Sequence, residues 1–125
     1  MPSMSHDTHQ PATAQAMKPT DLLAYQPGAI ATRMLIKQKC GTVTLFAFDA
    51  GTELKEHTAP FDALVNVVEG SAEISIAGRV NRVAPGEILI LPANQPHSVR
   101  AATRFQMLLT IIRDPAPPKL NETAI

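Results

Sequence analysis

Aromatic residues and cysteine are scarce in this sequence of 125 residues. It has one cysteine, no tryptophan, one tyrosine and four phenylalanines. A single cysteine excludes an intrachain disulfide and is typical of a reducing compartment. Because aromatic side chains are so few, the core must be built from valine, isoleucine, leucine, methionine and alanine. A chain of this length suffices for one domain with its own core.

The sequence also lacks an excess of charge and a long apolar run. Lysine plus arginine and aspartate plus glutamate each number 11, so the formal net charge at pH 7 is zero. Nucleic acid is not an expected partner, because binding phosphates requires a basic face. No apolar run approaches the roughly 18–20 residues of a transmembrane helix, and residues 1–20 lack the pattern of a secretory signal. We therefore expect a soluble, cytoplasmic protein with no membrane partner.

Both ends of the chain have the composition of tails. Residues 1–20 are polar and include His6, Asp7 and His9, and this composition predicts a flexible N-terminal tail. Residues 114–125 contain three prolines, which interrupt helices and sheets, and they are predicted to form a Pro-rich C-terminal tail. One domain over residues 21–113 remains between them.

Short apolar runs separated by glycine and proline turns fill that domain. No segment repeats its apolar residues with a helical period over ten or more residues, although 21–25 is compatible with one helical turn capped by Thr20 or Asp21. Many short strands at this spacing are typical of an all-β sandwich or barrel. The predicted strands are 30–37, 42–48, 63–69, 72–77, 79–83, 87–91, 97–101 and 105–113.

Residues 51–70 carry the first of two spaced motifs. Gly51, His57 and Gly70 occupy the fixed positions of the pattern G-x5-H-x-H-x3/4-E-x6-G. Ala59 stands at the second histidine position, and Ala63 stands at the glutamate position. This segment resembles the first motif of the cupin family.

Residues 86–101 carry the second motif. Gly86, Pro92 and His97 match the cupin pattern G-x5-P-x-G-x2-H-x3-N, whereas Ala101 replaces its asparagine. Asn94 replaces the second glycine, and asparagine also tolerates left-handed backbone conformations. The resemblance covers residues 30–113 and implies a cupin double-stranded β-barrel, which is jelly-roll-like.

The spacing of the first motif predicts a pocket inside this barrel. Alternate residues of a strand face the same side, so the histidine and the residues of equal parity after it should point inward, and the second motif's histidine should join them. The predicted pocket or ligand-binding residues are His57, Ala59, Ala63, Val65, Gln95 and His97. Leu109 is a further candidate for the wall.

Metal-binding cupins use three histidines and one glutamate, and the resemblance leaves only His57 and His97 as ligands here. Two imidazoles predict at most weak binding of a divalent transition metal such as Zn, Ni, Fe, Mn or Cu. Asp62 has the wrong parity to replace the missing carboxylate. Glu53, Glu56 and Gln95 are substitutes if their loops bend inward.

Two functional hypotheses follow, and the sequence does not decide whether the protein is an enzyme. The first is a module that binds a small, partly apolar molecule in the barrel, with His57 and His97 at its polar end. The alternative is a metal-dependent cupin enzyme of the dioxygenase or isomerase type with an incomplete two-histidine site. A vestigial, purely structural cupin is a third, weaker reading. The resemblance also implies a homodimer, with the edge strand over 30–37 as a candidate for exchange.

Overall fold

A computed structural model describes residues 13–113, which form nine β-strands and one short 3-10 turn. The tail over 114–125, most of the tail over 1–20, and His6, Asp7 and His9 lie outside the described residues. The strands are β1 (Ile30–Gln38), β2 (Gly41–Phe48), β3 (Glu53–His57), β4 (Asp62–Glu69), β5 (Ala72–Ile76), β6 (Arg79–Val83), β7 (Ile88–Leu91), β8 (His97–Arg100) and β9 (Phe105–Ile112).

The strands form two antiparallel sheets that enclose one core. Sheet A has the order β1-β2-β9-β4-β7, and sheet B has the order β3-β8-β5-β6. Phe48, Val65 and Met107 of sheet A pack with Ile74 and Val99 of sheet B in the same buried cluster. This architecture confirms the predicted all-β, jelly-roll-like barrel.

Strand β4 shows how the sequence pattern positions side chains. Ala63, Val65 and Val67 are buried, whereas the residues between them are only half-buried. Alternation of this kind turns every second side chain toward the core. Burying one valine in this way contributes about 1.5–3 kcal/mol relative to leaving it exposed. The inward face of β4 is therefore fixed by its apolar residues.

Eight predicted strands are confirmed to within one residue at each end, but β3 was not predicted. Leu54 is the only apolar residue of β3, and its other four residues are exposed. A mainly charged edge strand does not show the apolar alternation on which strand prediction depends.

The predicted helical turn over 21–25 is wrong in position. The structure has a 3-10 turn at Pro19–Asp21 that begins after Lys18 and ends at Leu22. Proline fixes the φ angle required at the start of such a turn, so Pro19 starts it earlier than expected. Thr20 and Asp21 lie inside the turn instead of capping it.

The segment after this turn is tied to sheet A. Arg33 Nη1 donates a hydrogen bond of 2.7 Å to the Leu22 carbonyl, and Gln106 Nε2 donates one of 3.0 Å to the Leu23 carbonyl. Strand β1 lies at the edge of sheet A, as expected, but it pairs with β2 of its own chain. Exchange between subunits is therefore not needed to pair this strand.

Packed rings and an ion pair connect the chain segments at the start of β1, the end of β2 and the start of β9. The Phe48 and Phe105 rings stack with centroids 4.4 Å apart. Asp49 accepts hydrogen bonds from Gly28 N at 2.6 Å and from Arg104 Nε at 2.8 Å. The Arg104 guanidinium also lies over the Tyr25 ring, 5.0 Å from its centroid. These contacts hold the three segments together.

The surroundings of Tyr25 favour its neutral phenol over the phenolate. Burial raises its pKa to about 12, and the neighbouring Glu69 carboxylate acts in the same direction. Tyr25 therefore stays protonated at physiological pH. In the part of the chain that the structure describes, no helix is long and apolar enough to cross a membrane.

Candidate functional site

His57 and His97 lie directly opposite each other on β3 and β8. The two strands pair antiparallel, and these residues are register partners beyond a bulge that follows Leu54. Their ring centroids are 4.4 Å apart, and the ring planes meet at 66° in an edge-to-face arrangement. The structure thus brings together the two histidines that the motifs predicted to share a site.

The two rings differ in exposure. His97 is 8% exposed, whereas His57 is exposed at the end of β3. His97 also pairs with Ile76 of β5, and both follow the inward parity of Ile74 and Val99. One imidazole therefore belongs to the barrel interior, and the other lies at its rim.

Backbone carbonyls hold both rings. His57 Nδ1 lies 2.9 Å from the Lys55 carbonyl oxygen, and His97 Nδ1 lies 3.3 Å from the Gln95 carbonyl oxygen. The contact at His97 is the longer and weaker of the two. Each histidine is therefore oriented by a residue two positions before it.

Burial also sets the charge of His97. Loss of hydration lowers its pKa, and the positive charge of a protonated His57 would lower it further, against the opposing hydrogen bond to Gln95. His97 thus favours the neutral imidazole at physiological pH, which leaves one ring nitrogen as an acceptor.

Two hydrogen bonds connect the loops that flank the histidines. Asn94 N donates to the Ala59 carbonyl at 2.7 Å, and Ala93 N donates to Asp62 Oδ1 at 2.8 Å. Asn94 has φ +66°, which confirms that it replaces the motif glycine in a left-handed conformation. The loop before His97 is consequently fixed against the loop after His57.

The other predicted pocket residues occupy different depths. Ala59 is half-buried, Ala63 is 9% exposed, and Val65 has no exposed surface. Gln95 is exposed, and its backbone carbonyl is the group that contacts His97. Val65 therefore belongs to the packed core behind the wall. Ala59 and Ala63 are nearer the surface.

Apolar residues of β9 continue the inward face beside Ala63. Ile111 is the register partner of Ala63, and Leu109 is the partner of Val65. Both are partly buried and pack against the core. At the same end of β9, the Arg113 guanidinium lies over the Phe61 ring, 5.1 Å from its centroid. The wall near the histidines is consequently apolar.

The proposed substitute carboxylates do not face the histidines. Glu53 and Glu56 line a groove of about 530 Å³ on the outer face of sheet B, together with Lys55, Ser98 and Arg100. Glu53 pairs with Arg100, whose parity is opposite to that of the inward Val99, and Glu56 lies in the bulge between Leu54 and His57. Within the described residues neither glutamate joins the two histidines in a group of three that could hold a metal ion, so the condition for this substitution is not met.

The donors present do not fit the metal site of metal-binding cupins. Ala59 and Ala63 offer only methyl groups at the two remaining ligand positions. Within residues 13–113, no group of three or more histidine, cysteine, aspartate or glutamate residues is placed to hold a metal ion. Protein metal sites normally supply three or more ligands, so two imidazoles alone form an incomplete set.

The family assignment follows from comparison with known proteins. The cupin domain family model matches residues 44–112, which is more than half of the chain. This protein belongs to the cupin family. A conserved protein of unknown function from Streptococcus pyogenes has 32% identity and a TM-score of 0.79, and the match covers 84% of this cupin and 92% of that chain.

More distant structures share the cupin fold. A cupin superfamily protein from Desulfitobacterium hafniense has 22% identity and a TM-score of 0.78 over 85% of this cupin and 96% of that chain. Salicylate 1,2-dioxygenase from Pseudoaminobacter salicylatoxidans has 17% identity and a TM-score of 0.63, over 74% of this cupin and 28% of that chain. At these identities the likeness concerns the fold alone. This cupin matches no curated protein.

Three groups contribute to the site in ways that the sequence did not predict. Asp62 was excluded as a ligand by parity, but its carboxylate braces the loop before His97. The backbone carbonyls of Lys55 and Gln95 orient the imidazoles, and backbone groups carry no signature of their own in the sequence. The sequence did not predict that β3 pairs with β8. This pairing brings the two imidazole rings into contact.

Proposed function

We propose that this cupin binds a small, partly apolar molecule in the barrel, with His57 and His97 at the polar end of the ligand. The observation that carries the proposal is the pair of imidazoles, 4.4 Å apart, with alanines at both remaining ligand positions of the family's metal site. Ligand pockets are mostly apolar and have a few polar groups that orient the ligand. This arrangement has that composition.

The alanines favour a molecule over an ion. Replacing an imidazole by the Ala59 methyl and a carboxylate by the Ala63 methyl removes polar atoms and volume. The space beside the histidines is therefore larger and more apolar than in a four-ligand site. An apolar group gains about 0.8 kcal/mol for each methylene that it removes from water there.

Weak binding of a divalent transition metal by the two histidines is the second proposal. The metal would receive two imidazole nitrogens, and water or a ligand would have to complete its coordination. A metal-dependent enzyme of the dioxygenase or isomerase type would require that completed site. No side chain near the pair favours this alternative. The cytoplasmic location expected from the single cysteine remains part of the proposal.

The homodimer is also carried forward as a proposal, with the outer face of sheet A as its contact surface. Ile88 and Ile90 are 60% and 59% exposed, and their register partners on β4, Asn66 and Leu64, carry no charge. An uncharged apolar face is complementary to a second copy of itself, and a two-fold axis brings identical faces together.

Thermal unfolding of the untagged full chain with a panel of small apolar molecules tests the proposed function. We expect at least one class to raise Tm in the wild type and to lose that effect in His57→Ala. His57 is exposed, so its removal should leave the fold intact. Glu56→Ala is the matched control, because its side chain lines the outer groove. Equal stabilisation of wild type and His57→Ala would exclude the histidine pair as the binding site.

A further inference from the structure

The backbone contacts of the two histidines determine which ring nitrogen carries the proton. The Lys55 and Gln95 carbonyl oxygens can only accept hydrogen bonds. His57 Nδ1 and His97 Nδ1, which lie 2.9 and 3.3 Å from these oxygens, must therefore be the protonated donors. In a neutral imidazole the other nitrogen then has a free lone pair. In the neutral form of either ring, Nε2 is consequently the hydrogen-bond acceptor.

This tautomer is supported by the fixed backbone around the pair. The loop that carries the Gln95 carbonyl is held by the hydrogen bonds from Asn94 N to the Ala59 carbonyl and from Ala93 N to Asp62 Oδ1. The Lys55 carbonyl lies in the bulge of β3, between Leu54 and His57, which are both paired with β8. Neither carbonyl belongs to a free loop, so the acceptor character of the site is built into the fold.

The basic side chains closest in sequence to the two histidines lie on the outer face of sheet B. Lys55, two residues before His57, and Arg100, three residues after His97, both line the groove on the outer face of sheet B. They are therefore separated from the buried His97 ring by the sheet itself. A carboxylate placed at the histidines would meet two nitrogen lone pairs, and these two cations would not offset its charge.

We propose that the polar end of the ligand is a hydrogen-bond donor, such as a hydroxyl, a phenol or an amide N–H, that is received by His57 Nε2 and His97 Nε2. The site discriminates against carboxylates and other groups that only accept. This inference rests on the proposed function and adds the chemical class of the ligand. An apolar body with a donor at one end matches both the wall and the two acceptors.

The first test measures the tautomers without any ligand. Long-range ¹H–¹⁵N spectra of the full chain, freed of metal with a chelator that is then removed, report which nitrogen of each ring is protonated. Assignment uses His57→Gln and His97→Gln, because the chain has four histidines. We expect a protonated Nδ1 and an unprotonated Nε2 in both rings at pH 8. A protonated Nε2 in either ring overturns the inference.

The second test compares probes that differ only at their polar end. Benzyl alcohol and benzoate form one pair, cyclohexanol and cyclohexanecarboxylate form another, and toluene reports the apolar contribution. We expect each alcohol to bind at least about tenfold more tightly than its carboxylate, as one or two satisfied hydrogen bonds allow. The alcohols should also shift the Nε2 resonances, and His57→Ala should reduce their affinity to that of toluene.

The outcomes separate the inference from the proposed function. If carboxylates bind more tightly than alcohols, and His57→Ala loses this binding, the donor assignment is overturned. A ligand site at the histidines would then remain. No binding of any probe, with both tautomers as expected, overturns the proposed function and the donor assignment with it. Preference for the alcohols that persists in His57→Ala places binding elsewhere and also overturns the inference.

Discussion

His57 and His97 occupy register-paired positions on β3 and β8, with ring centroids 4.4 Å apart and ring planes at 66°. Half of the family's ligand set is present in a defined geometry, and the other half has become Ala59 and Ala63. The properties of the site depend on this combination.

Restoring the two missing ligands should create a metal site. The variant Ala59→His/Ala63→Glu supplies the imidazole and the carboxylate that the family pattern places there. Loss of a single supporting contact around a metal ligand typically costs 10–100-fold in affinity, so regaining two ligands should increase Zn²⁺ affinity at least about 100-fold. Competition with a chromogenic chelator measures this. The control Ala59→Asn/Ala63→Gln adds volume without the same ligands, and an equal gain in the control would contradict the prediction.

Gly70 is predicted to tolerate replacement by alanine less well than Gly78. It has φ +71°, and an added Cβ would collide with the Arg104 carbonyl and come within 2.8 Å of Phe105 Cα. Gly78 has φ +84° but open space around it, so Gly78→Ala isolates the backbone cost of about 1–2 kcal/mol. We expect Gly70→Ala to lower the free energy of unfolding, measured with urea, by about 1–3 kcal/mol more than Gly78→Ala does. This difference is the usual cost of overpacking. Equal losses in the two variants would show that the collision is absent.

Acid sensitivity is predicted to depend on Asp49. The hydrogen bond from Arg104, and then that from Gly28 N, hold the pKa of this carboxyl below its ordinary value of 3.8. Because the folded-state pKa is depressed, the stabilisation is fully present above pH 3.8 and is lost as the pH falls through the folded-state pKa. Asp49→Asn should therefore be less stable at pH 7 and should lose less stability between pH 5 and pH 3 than the wild type.

Urea unfolding at several pH values measures this dependence. Glu56→Gln is the control, because Glu56 is exposed on β3, and its acid response should equal that of the wild type. If Asp49→Asn loses as much stability as the wild type between pH 5 and pH 3, the Asp49–Arg104 pair does not stabilise the folded protein.

The proposed dimer surface can be tested by charge insertion. Ile90→Glu places a carboxylate in the outer face of sheet A and should convert the dimer to a monomer in light-scattering measurements. Val80→Glu is the matched control, because Val80 is 63% exposed but lies on β6 of sheet B. A dimer that survives Ile90→Glu, or that is lost equally in Val80→Glu, would place the interface elsewhere.

Most of the fold could be predicted from the sequence because the core strands alternate clearly. Strand β4 buries Ala63, Val65 and Val67 in turn, and its boundaries were predicted to within one residue. Strand β3 could not be predicted, since Leu54 is its only apolar residue and its pairing with β8 is a long-range contact. Local patterns carry no information about such a partner.

The site could be predicted only in part for the same reason. Motif spacing identified His57 and His97, and their contact is confirmed. The condition that Glu53 or Glu56 bends inward is not met, because both side chains line the outer groove. The bracing role of Asp62 depends on a hydrogen bond to a residue 31 positions away, which no local pattern indicates.

Native mass spectrometry of the untagged full chain tests most directly what His57 and His97 bind. We predict that the wild type carries a small organic molecule that is released on denaturation and is absent from His57→Ala/His97→Ala. A stoichiometric transition metal on the wild type, lost in the same double variant, would contradict the account and favour the metal-dependent alternative.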